Sequence, residues 1–274
     1  MVKSQNNSEL IGSPKTQGIL YYAIGKNWIQ EALQSVQSVK AVMPDIKTAI
    51  VSDRALPQEL FNIQIKAPCD VGVKQLKMWT LGQTPFEKTL YLDTDTYVTD
   101  SLWEIFEMLN QFEIALAITP YWKIDLCKNG GKLKDKEVPV CFPKFNTGVI
   151  AFQKNSKINC FFSNWAELHK VWGEGQDQAP FRNVLYHSDI RFGVLSPAYN
   201  YRLPYPNGIW GSVKIFHSHD PNLPSLSETI NRSESWRITS PLKFKNSTIF
   251  YGQHEFKIKI KQKINRLRNM IKDR

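Results

Sequence analysis

The sequence predicts an α/β fold with a mostly parallel central sheet and helices on both of its faces. Apolar, strand-like runs alternate with segments of helical periodicity, which is the pattern of such a sheet. Acidic residues follow two of those runs, Asp53 after one and Asp93 with Asp95 after another. Because such sheets bind ligands beyond the carboxyl ends of their strands, we expect a site at this edge.

The first half of the chain supplies its predicted elements in regular alternation. Strands are predicted at residues 18–25, 48–53, 61–66, 88–93 and 114–118. The first helix is predicted from a capping box of Asn27 and Gln30, a stop at Pro44 and an apolar stripe of Ile29, Leu33, Val36, Val39 and Met43. Further helices are predicted over 73–81 and, behind a second capping box of Ser101 and Glu104, up to about residue 110.

The second half is less regular. Residues 123–143, rich in Gly, Lys and Asp, predict a long surface loop near the site. A strand at 145–152 and an aromatic-rich helix follow, and Asp177 opens another helix, for which it is a suitable N-cap. Residues 213–217 predict a late strand, whereas 195–246 otherwise indicate little regular structure.

Two terminal segments flank a predicted single domain of residues 18–254. Residues 1–17 are polar, lack the apolar centre of a secretory signal and predict a disordered lead-in. Residues 255–274 contain eight Lys or Arg residues against Glu255 and Asp273. They predict an amphipathic helix with an apolar stripe of Phe256, Ile260, Ile264, Leu267 and Ile271.

This basic helix leaves two interpretations open. Basic amphipathic helices are typical of membrane-surface or partner-binding elements, and the formal net charge of +10 favours an anionic partner. The helix can equally pack on the domain with its lysines in solvent. We therefore expect a cytoplasmic protein, with peripheral membrane association as an open alternative.

Composition and motifs argue against several classes of protein. No apolar run is long enough to span a membrane, and four widely spaced cysteines without a CxxC pair fit reduced thiols. There is no P-loop, GxGxxG or GxSxG motif. Basic and aromatic residues are not interleaved as in nucleic-acid recognition, so no nucleic-acid partner is predicted.

The pair Asp93 and Asp95 carries the strongest chemical signal. Side chains two apart on a strand point the same way, and adjacent carboxylates repel unless a cation lies between them or one is protonated. At the end of a buried strand, such a pair can hold a hard divalent metal that carries phosphate oxygens. The pair therefore predicts a phosphorylated or nucleotide-bearing substrate.

Four further segments surround this pair in a characteristic order: LKMW at 76–79, FNTGV at 145–149, the pair Asp177-Gln178, and VKIFH at 213–217. The set resembles the glycogenin-like family of nucleotide-sugar glycosyltransferases, which have the GT-A fold, over roughly residues 18–220. The resemblance implies retaining transfer of a hexose from a nucleotide diphosphate sugar to a hydroxyl of a glycan or glycolipid. It also implies Mn²⁺ or Mg²⁺ as cofactor.

The resemblance also implies a role for each matching residue. Asp93, Asp95 and His217 would bind the metal. Asp177, Gln178 and Asn146 would act at the reacting sugar. The nucleotide sugar would contact Ala23, Ile24, Asp53, Lys74, Lys77, Asp93, Thr94, Thr147 and Gly148, and the choice between Lys74 and Lys77 stays open.

One departure from the family concerns the late histidine. It is commonly followed by a Gly-x-x-Lys segment that binds phosphate, whereas Ser-His-Asp-Pro follows His217 here. His219 could compete with His217 as a ligand, because it lies two residues further along an extended strand. The phosphate contact could come instead from Lys214, Arg202 or the basic tail.

Other functions fit less of the sequence. Residues 90–96 also resemble the DxDxT motif of haloacid-dehalogenase-like phosphatases, with Asp93 as nucleophile and Asp95 as general acid. That motif normally opens its domain, whereas two or three predicted strands precede it here, and no later GDxxxD pair follows. A nucleotidyltransferase would need a Gly-rich, basic loop at residues 22–27, which is missing. A non-catalytic protein that binds an anionic partner is the remaining alternative.

Overall fold

A computed structural model of the chain describes residues 16–69, 71–72, 75–119, 128–129, 132–133, 137–173, 175–203, 207–241 and 247–251. Lys74 and the predicted basic helix lie outside the described residues. So does the predicted lead-in, apart from Thr16 and from Gln17, which begins the first strand.

The described residues form strands and six α-helices. The strands, in chain order, are β1 (Gln17–Ala23), β2 (Lys47–Ser52), β3 (Ile63–Lys66), β4 (Lys88–Leu92), β5 (Thr96–Val98), β6 (Ile114–Ile118), β7 (Lys128–Asn129), β8 (Lys132–Leu133), β9 (Phe145–Gln153), β10 (Phe192–Leu195), β11 (Tyr201–Arg202), β12 (Asn207–Ile209), β13 (Ile215–His217), β14 (Arg237–Pro241) and β15 (Ser247–Tyr251). The helices are α1 (Lys26–Val42), α2 (Leu76–Gly82), α3 (Trp103–Met108), α4 (Ser156–Val171), α5 (Gln178–Tyr186) and α6 (Leu223–Asn231).

A seven-stranded sheet in the order β10-β6-β9-β4-β1-β2-β3 forms the centre of the fold. All of its strands run parallel except β9, which is antiparallel to both neighbours, β4 and β6. The first residues of β9 therefore lie at the same edge as the last residues of β4 and β6. The predicted α/β class with a mostly parallel sheet is confirmed.

Alternating side chains of this sheet feed two apolar cores, one on each face. In β1, Ile19 and Tyr21 pack in a cluster that includes residues of α1 and α3. Leu20, between them, belongs to a second cluster with residues of α2, α4 and α5. Helices therefore cover both faces, as buried parallel strands require.

A separate three-stranded sheet has the strand order β11-β13-β5 and so joins a strand from the first half of the chain to two from the second. Its register pairs His217 with Thr96 on one side and with Arg202 on the other. Because β5 begins directly after Asp95, this short ladder brings His217 beside the acidic pair. A third apolar cluster, which includes Phe216, Leu223 and Ile230, packs α6 against this region.

Several sequence expectations about local structure are wrong. Neither predicted capping box forms: Gly25, with φ of 85°, and Leu102 hold the N-cap positions, and neither end has a side-chain cap. Glu104 instead binds Lys214 and the Tyr199 hydroxyl. Residues 195–246 are also more regular than predicted, because β11 to β14 and α6 fall there.

About half of the predicted loop at 123–143 lies outside the described residues, and β7 and β8 form a small hairpin within it. No helix in the described part of the chain is both long enough and apolar enough to cross a bilayer. Cys69, Cys141 and Cys160 are exposed free thiols.

Candidate functional site

A cavity of about 420 Å³ opens at the edge where β1 and β4 end and β9 begins. The cavity is lined by side chains from the seven-stranded sheet, from the β11-β13-β5 sheet and from α1, α2 and α5. The predicted site residues that line it are Ile24, Lys77, Asp93, Thr94, Asp95, Asn146, Thr147, Asp177, Gln178 and His217. The sequence prediction thus brought together residues that lie far apart in the chain.

Asp93, Asp95 and His217 converge at one end of this cavity. Each offers one ligand atom, and these atoms lie within 4.8 Å of one another. Within the described ranges, no other set of three acidic, Cys or His side chains converges in this way. The larger groove of about 920 Å³ beside α4 and α5 contains no such set.

The acidic pair converges for a reason other than the one predicted. β4 ends at Leu92, and Asp93 to Asp95 form a turn rather than part of a strand, so the strand-alternation argument was wrong. Backbone bonds hold the turn: Asp93 N–H donates to the Gly148 carbonyl, and Ser218 N–H donates to the Asp95 carbonyl, both over 2.8 Å. These bonds tie the turn to β9 on one side and to the end of β13 on the other.

Buried hydroxyl groups of β5, α1 and β1 also support the turn at residues 93–95. Thr96 Oγ1 donates to the Asp93 carbonyl over 2.8 Å and lies 2.8 Å from Ser35 Oγ of α1. Ser35 Oγ is in turn 3.1 Å from the Tyr21 hydroxyl of β1. The turn is thus fixed by the sheet and by α1, and its carboxylates are held in place before any ligand arrives.

His217 is suited to bind a cation with its Nε2 atom. The ring is buried, and its Nδ1 lies 2.8 Å from Asn200 Oδ1, within hydrogen-bond distance. Nε2 is 3.2 Å from Asp95 Oδ1 and 4.0 Å from Asp93 Oδ2. With Nδ1 beside Asn200, the Nε2 atom faces both carboxylates, so a divalent cation fits between the three groups.

The charge of Asp95 is stabilised by its neighbours. Burial works to raise the pKa of Asp95, but His217 and then His219 outweigh it and lower the pKa to about 2. Asp95 is therefore an anion at neutral pH, as a metal ligand must be.

Gly148 allows the side chains of His217 and Asp93 to lie close to the backbone of β9. A Cβ built at Gly148 would lie 2.3 Å from His217 Cε1 and 2.7 Å from Asp93 Oδ2. Real Cβ contacts are not that short, so any side chain there would push His217 and Asp93 apart.

At the other end of the cavity, Lys77 lies between two carboxylates. Its Nζ is 3.0 Å from Asp93 Oδ1, 3.4 Å from Asp177 Oδ2 and 3.3 Å from Thr147 Oγ1. Burial alone would lower the pKa of Lys77, but Asp93 and Asp177 raise it overall. Of the two lysines that the sequence left open, Lys77 therefore lies in the cavity.

Asp177 holds the predicted N-cap position of α5, but its side chain does not cap the helix. It has helical backbone angles and makes no capping bond, and its Oδ2 accepts from Thr147 Oγ1 over 2.8 Å. Burial would raise the pKa of Asp177, yet Lys77 and Thr147 lower it. The carboxylate is thus kept ionised and aimed at the cavity.

Sequence reasoning missed three aromatic residues of the cavity, Tyr22, Trp28 and Tyr91. Tyr91 donates to Asp93 Oδ1 over 2.7 Å, and it precedes Asp93 by two residues, so the period-two rule could have found it. Trp28, 49% exposed, lies at the mouth, where its ring meets that of His219 at 5.5 Å. No motif in the sequence marks Trp28.

Charged residues considered only as alternatives also line the cavity. His219 is largely exposed, with Nδ1 2.9 Å from Glu31 Oε1 and Nε2 3.5 Å from Asp95 Oδ2. Arg202 is partly buried, and burial lowers its pKa although Asp95, Asp93 and Asp177 counteract this. Lys214 is elsewhere, bound to Asp100 and Glu104, so it does not offer a phosphate contact in this cavity.

Three predicted binding residues do not line the cavity. Ala23 is fully buried at the end of β1, and Gly148 lies behind the metal-binding group. Asp53 is exposed, paired with Arg54 at 3.0 Å. Its pKa is lowered first by this Arg54 bond and also by the Gly25 backbone N–H.

The fold is that of the GT-A glycosyltransferases. No protein-family model matches the sequence, and no curated protein matches it closely enough to count as a relative. Among solved structures, the galactosyltransferase LgtC in complex with donor and acceptor sugar analogs superposes with a TM-score of 0.51 at 19% identity, over 74% of this chain and 87% of LgtC. A glutamine-to-glutamate active-site mutant of LgtC gives a TM-score of 0.51 at 17% identity, over 74% of this chain and 88% of that one.

Two larger glycosyltransferases share the fold. GlyE of Streptococcus pneumoniae TIGR4 matches with a TM-score of 0.50 at 17% identity, over 70% of this chain and 48% of GlyE. The bifunctional glycosyltransferase WbbM matches with a TM-score of 0.52 at 12% identity, over 71% of this chain and 41% of WbbM. At such identities the likeness shows the fold, and the chemistry must be argued from the cavity.

Proposed function

We propose that this chain is a metal-dependent, glycogenin-like glycosyltransferase. It moves a hexose from a nucleotide diphosphate sugar to a hydroxyl of a glycan or glycolipid, with retention of configuration. The observation that carries the proposal is the convergence of Asp93, Asp95 and His217 beside the Lys77–Asp177 pair, in one cavity of a GT-A fold.

The metal-binding group supports a nucleotide diphosphate as the leaving group. Asp93, Asp95 and His217 would hold Mn²⁺ or Mg²⁺, since imidazole with carboxylates suits these cations. When bound, the metal supplies a Lewis acid that stabilises the charge of the departing diphosphate. Arg202, beside His217 in the register of β11 and β13, is a further cation for phosphate oxygens.

The remaining lining suits the base and the sugar. Ile24 and Trp28 offer an apolar wall against which a base can stack, and Thr94 and Thr147 offer hydroxyls. Ala23, Asp53 and Gly148 belong to the same proposed region, with Gly148 admitting backbone close to the ligand. A cavity of about 420 Å³ is of the size that binds small ligands.

Asp177, Gln178 and Asn146 are proposed to act at the reacting carbon. Lys77 keeps Asp177 ionised, so its carboxylate can stabilise positive charge that develops on the sugar. LgtC has been studied as an active-site mutant in which a glutamine is replaced, and we propose that Gln178 is its counterpart. Retention rests on this proposed equivalence.

Two further parts of the proposal concern the acceptor and contact with a membrane. LgtC binds donor and acceptor sugar analogs, and we propose a sugar hydroxyl as acceptor here. The basic residues of 255–274 suit a membrane surface with anionic lipids, where a lipid-linked acceptor would be met. Deletion of 255–274 should abolish sedimentation with anionic liposomes at low salt, and unchanged sedimentation would refute the membrane contact.

A thermal-shift panel tests the proposal. Nucleoside diphosphates and their sugars are added with Mn²⁺, with Mg²⁺ or with EDTA, and a ligand of the native state raises the melting temperature. A shift with one nucleoside diphosphate that EDTA abolishes supports the proposal and names the base. The anomeric configuration of the product, read by NMR, then tests retention.

The phosphatase alternative fits the cavity poorly. It needs Asp95 as a general acid, but a pKa of about 2 leaves that carboxylate without a proton at neutral pH. Hydrolysis of simple phosphate esters, together with no response to any nucleotide, would nevertheless favour it over glycosyl transfer.

A further inference from the structure

A row of buried amides connects the metal-binding group to the sugar side of the cavity. Asn200 is 6% exposed and lies between two proposed site residues, Asn146 and His217. Its Nδ2 donates to Asn146 Oδ1 over 2.8 Å, and its Oδ1 accepts from His217 Nδ1 over 2.8 Å. Sequence reasoning did not single out Asn200, which precedes β11 without any motif.

The direction of every bond in this row is fixed from one end. The Gly148 backbone N–H can only donate, and it donates to Asn146 Oδ1 over 3.0 Å. Asn146 Oδ1 is therefore an acceptor, so Asn200 must present its Nδ2 to it. The opposite atom of the Asn200 amide, Oδ1, then faces His217 and requires a proton on Nδ1.

We propose that Asn200 is a positioning residue that orients both His217 and Asn146. It holds His217 as the Nδ1–H tautomer, which leaves the Nε2 lone pair for the metal. It also holds the Asn146 amide with Oδ1 turned inward, so that the two N–H groups of Nδ2 remain for a ligand. The metal and sugar roles rest on the proposed function, whereas the tautomer and the amide orientation do not.

Only asparagine or glutamine can serve both neighbours at once. Aspartate would accept from His217 but could not donate to Asn146, because an ionised carboxylate has no proton. A hydroxyl has one proton and lacks the reach of a forked amide. The substitution Asn200→Asp therefore separates the two halves of the proposed role, and Asn200→Ala removes both.

The first experiment measures Mn²⁺ binding to the whole 274-residue chain by electron paramagnetic resonance. Loss of a hydrogen-bond partner of a ligating histidine weakens metal binding about 10–100-fold, which we expect for Asn200→Ala. Asn200→Asp should bind Mn²⁺ at least as tightly as the wild type, because a carboxylate is a stronger acceptor for Nδ1–H. For the same variant, kcat should fall while the affinity for Mn²⁺ does not.

Asn155→Ala is the matched control. The Asn155 side chain also accepts a partly buried hydrogen bond, from the Ile158 N–H at the start of α4. It follows β9, however, at the edge of the sheet opposite the cavity. It should lower the melting temperature without changing Mn²⁺ affinity. A similar loss of affinity in Asn155→Ala and Asn200→Ala would reduce the role of Asn200 to general stability and overturn the proposal.

A second measurement needs no metal and no substrate. ¹⁵N spectra of histidine side chains at pH 8 report which ring nitrogen of His217 carries the proton. We expect a proton on Nδ1 in the wild type and in Asn200→Asp, whether or not Nε2 beside Asp95 is also protonated, and loss of that preference in Asn200→Ala. An Nε2–H tautomer in the wild type would overturn the proposal, even if the protein transfers sugar. The expected tautomer in a protein without transferase activity would leave the positioning role standing and refute the proposed function alone.

Discussion

The two ends of the cavity neutralise their carboxylates in different ways. At one end the protein supplies its own cation, since Lys77 lies 3.0 Å from Asp93 and 3.4 Å from Asp177. At the other end Asp93 and Asp95 meet the histidine His217, and the arrangement suits an added metal. Lys77 therefore balances negative charge within the folded chain, whereas the charge of the second group is balanced only when a cation binds. Loss of the metal should therefore spare the fold, whereas loss of Lys77 should not.

The largest effect is expected from Asp95→Asn, which breaks the metal end. It removes a charged ligand at nearly constant volume, so transfer should fall at least about 10³-fold. Activity is measured as release of nucleoside diphosphate. Asp189→Asn, at an exposed carboxylate that binds Lys157, should leave activity as it was. Wild-type turnover in Asp95→Asn would contradict the metal assignment.

Lys77→Met should break the other end, and mainly through stability. It leaves the partly buried Asp177 without its cation, so we expect a loss of about 2 kcal/mol in the free energy of unfolding, between the values for exposed and buried pairs, measured by urea denaturation. The pKa of Asp177 is lowered in the folded state, so this stabilisation is present above its usual value of 3.8 and is lost as pH falls further. The pKa of Lys77 is raised, so the stabilisation is also lost at a pH above 10.5.

Lys157→Met provides the matched control for Lys77. Lys157 also has two acidic partners, Glu113 and Asp189, at 2.9 and 3.3 Å, but it lies at the surface. Exposed ion pairs contribute little, so this variant should be far less destabilised. Equal losses in the two variants would mean that burial of the Lys77 pair has no special weight.

Gly148→Ala should disturb the metal end without touching a ligand. The new Cβ would overlap His217 and Asp93, so we expect about 10–100-fold weaker Mn²⁺ binding, comparable to the loss of a supporting contact. Isothermal titration calorimetry measures the change. Gly82→Ala, at the last residue of α2 where a Cβ meets nothing within 4 Å, should bind Mn²⁺ normally.

The smallest effect is expected from His219→Gln, which decides between the two histidines. His219 is 61% exposed and bound to Glu31, whereas His217 is buried against both carboxylates. Mn²⁺ affinity should change less than about threefold in His219→Gln and more than tenfold in His217→Ala. The reverse order would make His219 the third ligand.

The sequence predicted the fold and most of the cavity because both depend on local patterns. Apolar runs placed the strands, and the family resemblance carried by a short set of motifs placed Asp93, Asp177 and His217 at one site. The local geometry was not predictable in the same way. Asp93 and Asp95 converge through a turn held by Gly148 and Ser218, contacts that no neighbouring residue in the sequence reveals.

Residues that act across strands were also beyond sequence reasoning. Asn200 reaches His217 because β11, which it precedes, pairs with β13, and Trp28 reaches the cavity because α1 starts beside the cavity mouth. The capping boxes failed because a box needs the right backbone angles as well as the right letters. The N-cap positions fall on Gly25 and Leu102, whereas the boxes predicted Asn27 and Ser101.

The pairing of β5 with β13 has a consequence for the order in which the chain can fold. Thr96 and His217 are neighbours in this ladder although about 120 residues separate them in the chain. Such a distant contact carries a large loop-closure cost and forms late. The pairing of β1 with β2, which are close in the chain, can therefore form first, and His217 docks afterwards. Mn²⁺ binding during refolding should lag behind formation of the sheet and so time the final step.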